Sequence, residues 1–219
     1  MAQSKKGLIL PGKFHPLFEK SELIVKLDRY MFEHACRWYR SHLEQGGRPV
    51  SLAVNVSKAG LFQNDFVDYY TDIKAKYSIP DRVMELEFTE SILAADTELF
   101  AELVVNLNAR GFICSLDDFG SGYSSLNLLK NLPIDVLKLD ILFFQKSRDI
   151  RRERIVVSNV INMAKELDIK TIAEGVEDMD TVEFLRKAGC NVIQGYVFAK
   201  PMPQEDFEHL LTDNQDWFF

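Results

Sequence analysis

The chain has 219 residues, 47% of them hydrophobic, which is enough for one substantial domain with a real core and excludes a disordered polymer. A formal net charge of -7 excludes a protein that coats nucleic acid, because backbone binding needs clustered Lys and Arg to displace counterions. No stretch approaches the ~18 consecutive apolar residues of a membrane-spanning helix, and Cys36, Cys114 and Cys190 are too widely spaced for a disulfide framework, so a cytoplasmic protein with reduced thiols and no membrane contact is expected.

Residues 1 to 20 contain Gly7, Pro11, Gly12 and Pro16 and read as a loop leading into a long helix over 21–44. From Ser51 onward short apolar runs alternate with helical patterns, the signature of parallel βα units. Strands are predicted over 51–57, 83–91, 112–119, 136–144, 169–176 and 191–198. Between them, a helix over 98–110 has Asp96 as its cap, Leu99, Leu103 and Leu107 on one face, and Gly111 as its stop. A helix over 153–167 carries Val157, Val160, Ile161 and Ala164 as its apolar stripe, and one over 179–188 is ended by Gly189. No linker or low-complexity tract interrupts residues 21–219, which read as a single domain.

Successive βα units build either an open doubly wound sheet or a closed eight-stranded barrel. One parity of each strand is apolar, as in Leu52, Val54 and Val56 or Met84, Leu86 and Phe88. The other parity carries Asn55, Glu85, Glu87, Ser115, Asp117, Lys138, Asp140 and Glu174. An open sheet covered on both sides buries apolar residues on both faces, so charged residues in strand after strand favour a barrel lumen. The expected class is therefore α/β, a TIM-like (β/α) barrel. A closed barrel typically takes about 250 residues, so the chain is expected to lack its first strand or strands.

Asp117 and Asp118 are adjacent carboxylates at a strand end, and a divalent cation relieves such repulsion. The plainer reading is that Asp118 caps the next helix while Asp117 is solvated. Glu87 is an inward strand-end acid that could equally be ion-paired, and Asn55 offers an amide oxygen suited to a hard metal or to a loop hydrogen bond. Lys138, between Leu137 and Leu139, must find an anion. It reads as a structural salt bridge with an acid such as Glu174, as a group that positions water beside a phosphate, or as a Schiff-base lysine, the last disfavoured by the acids that would raise its pKa. Gln194, before Gly195, reads as a polar plug. Singly these signals are weak, but Asn55, Glu87, Asp117, Lys138, Glu174 and Gln194 recur once per strand in phase.

At these residues the sequence resembles the EAL family of cyclic-di-GMP phosphodiesterases. The likeness rests on Val54-Asn55-Val56-Ser57, Leu86-Glu87-Phe88-Thr89-Glu90-Ser91, the run from Asp117 to Leu126, Leu137-Lys138-Leu139-Asp140, Ala173-Glu174-Gly175-Val176-Glu177 and Gln194-Gly195-Tyr196. The resemblance implies that Mg²⁺ or Mn²⁺, as a pair, activates water to open cyclic-di-GMP to pGpG. It implies that Asn55, Glu87 and Asp117 hold the first ion and that Asp117 bridges to a second, which Asp118 also binds. Lys138 would orient the attacking water, Glu174 would serve the metal and base shell, and Gln194 would support water or ligand placement. Glu90 would brace the loop of Phe119, Gly120, Ser121, Gly122 and Tyr123, which in such proteins couples the metal site to a homodimer contact. The Glu-Ala-Leu triplet that names the family does not occur, and the stretch Gly7 to Phe14 resembles the segment that normally follows it. The expectation is an N-terminally truncated domain of a parent with an upstream sensory or GGDEF domain. A catalytically inactive module that binds cyclic-di-GMP, or a partner protein, is the alternative.

Overall fold

The computed structural model describes residues 2–4, 7–9, 17–18, 21, 23–92, 97–120, 129–140 and 149–213. Within the segment expected to be a leading loop, β1 (Ala2–Ser4) and β2 (Gly7–Ile9) form an antiparallel pair with Ala2 opposite Ile9. Strands of three residues leave too little alternation for a sequence pattern to reveal them. Then follow α1 (Leu23–Glu44), β3 (Leu52–Val56), α2 (Lys58–Leu61), α3 (Phe66–Lys76) and β4 (Met84–Thr89) with a 3-10 turn at Glu90–Ile92. The remainder is α4 (Thr97–Ala109), β5 (Ile113–Phe119), β6 (Val136–Leu139), α5 (Ile150–Glu166), β7 (Lys170–Ala173), α6 (Met179–Ala188), β8 (Val192–Ile193) and α7 (Gln204–Asp213).

Strands β3 to β8 form one sheet in strict chain order, each pair parallel. A doubly wound sheet reverses its strand order at a switch point. This one never does, and right-handed crossovers stepping in one direction put every helix on the same face. The other face becomes a lumen. The sheet also curls far enough for its last helix to meet its first. Trp38 on α1 donates its indole N–H to Glu208 Oε1 on α7 at 2.7 Å, and the Phe207 ring lies 5.9 Å from that of Trp38. Among the described residues β3 and β8 are the edges of this sheet.

Local chemistry explains where elements begin and end. Helix α5 starts at Ile150, three residues before the expected start, because the Asp149 carboxylate accepts from the amides of Arg151 at 3.1 Å and Arg152 at 3.2 Å. On α4 the buried stripe is Phe100, Val104 and Leu107, while Leu99 is 51% exposed, so the expected stripe of Leu99, Leu103 and Leu107 is rotated. The larger Phe100 takes the core position, edge-on to Phe88 at 5.3 Å. The Asp96 cap and positions 141–144 of the predicted fourth strand lie outside the described residues. Strand β7 stops earlier than expected, where Gly175 turns the chain at φ +66°, though the Glu174 amide still bonds the Leu139 carbonyl at 3.0 Å, and β8 likewise ends early, at Ile193.

Behind the strands, Phe32 packs between Tyr70 at 4.5 Å and Phe112 at 6.1 Å, while α1 also buries Asp28. That carboxylate accepts from the Ser57 amide at 3.0 Å and hydroxyl at 2.5 Å, fixing the exit of β3. Burial pushes the Cys36 thiol up to about 12 and raises that of Cys114 as well, so both behave as inert core groups. All three cysteines are free thiols, as expected. No described helix is long and apolar enough to cross a membrane.

At the N-terminal ends of the strands a separate polar layer ties loops together. Lys74 donates to Asp81 at 2.5 Å and to the Arg110 carbonyl at 3.1 Å. Arg82 pairs with Asp135 at 2.6 Å, and Asp135 accepts from the Cys114 amide at 2.8 Å. Gly111, at φ +81°, is packed so closely that an added Cβ would lie 2.1 Å from an Asp81 oxygen. Gly46, at φ +83°, has nothing within 4 Å of such a Cβ. Urea denaturation should therefore separate them: Gly46→Ala loses about 1–2 kcal/mol from backbone strain alone, and Gly111→Ala loses measurably more because Asp81 must leave Lys74. Equal losses would mean that Asp81 relocates freely.

Candidate active site

The barrel's inward parity brings four of the predicted residues together. Asn55 on β3 is in register with Glu87 on β4, and Thr89 on β4 with Asp117 on β5. Lys138 stands in β6, and Glu174 follows the last residue of β7. The Lys138 ammonium donates to Glu87 and pairs with Glu174 at 2.6 Å, while Asp117 lies 3.8 Å away. Lys138 is 4% exposed and Glu87 6%, so this is a buried charge cluster rather than a surface pair.

Its electrostatics follow from that burial. Desolvation opposes the charge on Lys138, but Glu87, Glu174 and Asp117 together outweigh it and hold the ammonium above the ordinary lysine value. A Schiff-base lysine needs its amine neutral, so these surroundings disfavour that role. Burial raises the carboxyls of Glu87 and Glu174, with Lys138 partly offsetting the rise in each.

Adjacent residues of a regular strand point to opposite faces, so Asp117 and Asp118 need a local device to act together. The device is a β-bulge. Leu116 pairs with Leu137 and Phe119 with Leu139, so the intervening aspartates face one residue of β6. Asp118 adopts φ +56°, and its amide donates to Asp117 Oδ1 at 2.9 Å. Its own carboxyl is raised by partial burial and then by Asp117 and Asp140. Asp140 and Glu85, both inward by parity, join the charged lumen without having been singled out in the sequence; only the bulge and the depth of the lumen give them weight.

Asn55 and Gln194 are exposed strand-end residues. The Gln194 backbone is fixed, donating to the Ala173 carbonyl at 2.8 Å and accepting from the Val176 amide at 3.1 Å. Gly195 is required beside it, since a Cβ there would lie 2.0 Å from the Val176 carbonyl oxygen. Glu90 begins the 3-10 turn and is half-buried, Phe119 is buried, and Gly120 takes φ +97°. Ser121, Gly122 and Tyr123 lie outside the described residues, as do the positions of the helix that Asp118 was expected to cap.

Among the described residues no three Asp, Glu, His or Cys side chains are grouped so as to hold a metal ion by themselves. The acids are drawn instead to Lys138. The donor set nevertheless fits a hard divalent cation: oxygens of Glu87 and Asp117 lie within 4.0 Å of one positive nitrogen, which marks a place where cationic charge is held.

A strictly ordered parallel barrel with acids and a lysine at the C-terminal ends of its strands defines a barrel domain with its polar site where such folds keep their chemistry. The EAL domain family matches residues 1–201, and the chain belongs to that family. It is 37% identical over 199 residues to the bifunctional diguanylate cyclase/cyclic di-GMP phosphodiesterase MucR of Pseudomonas aeruginosa, covering 91% of this chain and 29% of MucR. It is 34% identical over 206 residues to the cyclic di-GMP phosphodiesterase NbdA of the same species, covering 94% of this chain and 26% of NbdA. The chain thus spans under a third of these two relatives. The solved PaMucR phosphodiesterase in its c-di-GMP complex superposes with a TM-score of 0.85 at 37% identity, covering 93% of this chain and 82% of that one.

Removing the central cation tests the cluster. Lys138→Met should destabilise the fold by about 3–5 kcal/mol near neutral pH, because it leaves buried acids uncompensated. The carboxyls of Glu87 and Glu174 are already raised in the fold and would rise further. An acid raised on folding favours the folded state while protonated and disfavours it as pH climbs above its unfolded value. The deficit should therefore be largest at about pH 7.5 and shrink towards about pH 4, as read by thermal melts across that window. A deficit independent of pH would mean that the loss is one of packing.

Proposed function

We propose that this chain is a metal-dependent phosphodiesterase domain that opens cyclic-di-GMP to linear pGpG. The observation that carries the reading is the convergence of Glu87, Asp117 and Glu174 on Lys138 at the strand ends of a chain in the EAL family. Asn55, Glu87 and Asp117 would hold one ion, Mg²⁺ or Mn²⁺, and Asp117 with Asp118 a second. Bound there, the pair supplies Lewis-acid charge to the attacking and leaving oxygens of an in-line displacement.

The remaining work falls to the chain's own residues. Lys138 orients the attacking water and offsets negative charge growing on the phosphoryl oxygens. Glu174, half-buried and paired with Lys138, serves as the acceptor for the water's proton. Gln194, on a backbone fixed between Ala173 and Val176, places water or ligand at the mouth. Glu90 would brace the segment that begins at Phe119 and Gly120 and link the site to a homodimer contact. The setting is the cytoplasm, with a sensory or GGDEF domain in the parent protein as the source of regulation. One observation favours a second reading, a module that binds cyclic-di-GMP without cutting it: Lys138, engaged by Glu87 and Glu174, already sits where the acids converge.

Isothermal titration of Mg²⁺ and Mn²⁺ and chromatography of the dinucleotide products decide between them. Metal uptake should fall sharply in Asp117→Asn. With a Glu-Ala-Leu strand supplied ahead of Met1, pGpG should form, and Glu87→Ala and Lys138→Ala should each lower turnover roughly 10²-fold or more, with Gln194→Ala doing less. Cyclic-di-GMP binding without product in the strand-supplemented protein selects the binding module. Unchanged metal uptake in Asp117→Asn overturns the site itself.

A further inference from the structure

Glu85 lies two residues before Glu87 on the same face of β4, one step deeper in the lumen. It is 7% exposed, and its Oε1 has no hydrogen-bond partner. A buried acceptor left unpaired is costly, and a native structure that keeps one invites a reason. The Ser115 hydroxyl on the neighbouring strand donates to the Leu86 carbonyl at 3.4 Å, and the Lys138 ammonium attracts the Glu85 carboxylate.

Lys138 shows the complementary deficit. An ammonium has three donors, and two are engaged, by Glu87 and by Glu174 at 2.6 Å, whereas Asp117 at 3.8 Å is beyond hydrogen-bonding reach. The lumen thus holds an unpaired acceptor on Glu85 and a spare donor on Lys138. A divalent cation on Glu87 and Asp117 would also repel the ammonium and take its main partner.

We propose that Glu85 is a positioning residue: the second seat of the Lys138 ammonium, occupied when a divalent cation claims Glu87 and Asp117. This inference rests on the metal-site reading above. Without Glu85, metal binding would strand Lys138 beside the ion, held by Glu174 alone. Glu85 therefore supports metal affinity through the lysine and without touching the ion.

A double-mutant cycle on metal affinity separates this role from a plain charge effect. Titration calorimetry with Mg²⁺ should show about tenfold weaker binding for Glu85→Gln than for the unmutated chain. In a Lys138→Met background, the same Glu85→Gln change should alter affinity less than about twofold. An equal loss in both backgrounds, or none in the first, overturns the second seat while leaving the metal site standing. If the unmutated chain binds neither Mg²⁺ nor Mn²⁺, both readings fall together. A measurement without substitution covers poor folding of the variants: at saturating Mg²⁺, NMR should show a scalar coupling across a hydrogen bond from Lys138 Nζ to Glu85 Cδ that is absent in chelator. Its absence in both states overturns the proposal.

Discussion

The lumen is governed by a shortage of positive charge. Glu85, Glu87, Asp117 and Glu174 face it, and Lys138 is the cation they share. Acids can be kept this close in a buried place only if something neutralises them. That requirement explains why a lysine stands between two leucines in β6, where a sheet built for packing alone would carry another apolar residue. The same shortage makes the strand ends receptive to further cations, so stability and proposed chemistry draw on one electrostatic condition.

The two ends of the strands divide the labour. At the N-terminal ends, Lys74 pairs with Asp81 and Arg82 with Asp135, which also satisfies the Cys114 amide. At the C-terminal ends the pairing is incomplete: Asp117 sits 3.8 Å from the Lys138 ammonium, and a bulge places two aspartates against one residue of the neighbouring strand. Unsatisfied groups and irregular backbone are expected where a fold keeps its function.

Much of this was legible in the sequence because it is periodic. Alternating parity identified Asn55, Glu87, Lys138 and Glu174 as inward, and successive βα units gave the barrel class. The departures have local causes that periodicity does not carry. A left-handed residue at Asp118 creates the bulge, and nothing in the letters Asp-Asp announces it. The stripe of α4 depends on which of Leu99 and Phe100 fills a space shaped by Phe88, a tertiary matter. The hairpin of β1 and β2 is too short for a pattern, and the start of α5 was misplaced although Asp149 was there to be read as its cap. Whether Lys138 was a structural partner or a catalytic group could not be separated by sequence, because burial among acids serves both.

The contact between α1 and α7 has a consequence for how the molecule assembles in time. Neighbouring strands pair within one βα unit of each other, so most of the sheet can grow by short-range steps. The bond from Trp38 to Glu208 instead joins residues 170 positions apart. Closing so long a loop costs more chain entropy than any step between neighbouring strands, and contacts of that separation slow folding. The seam between the first and last helices is thus suited to form late and to open first. Its side chains would govern how long the native state persists more than how quickly it is reached.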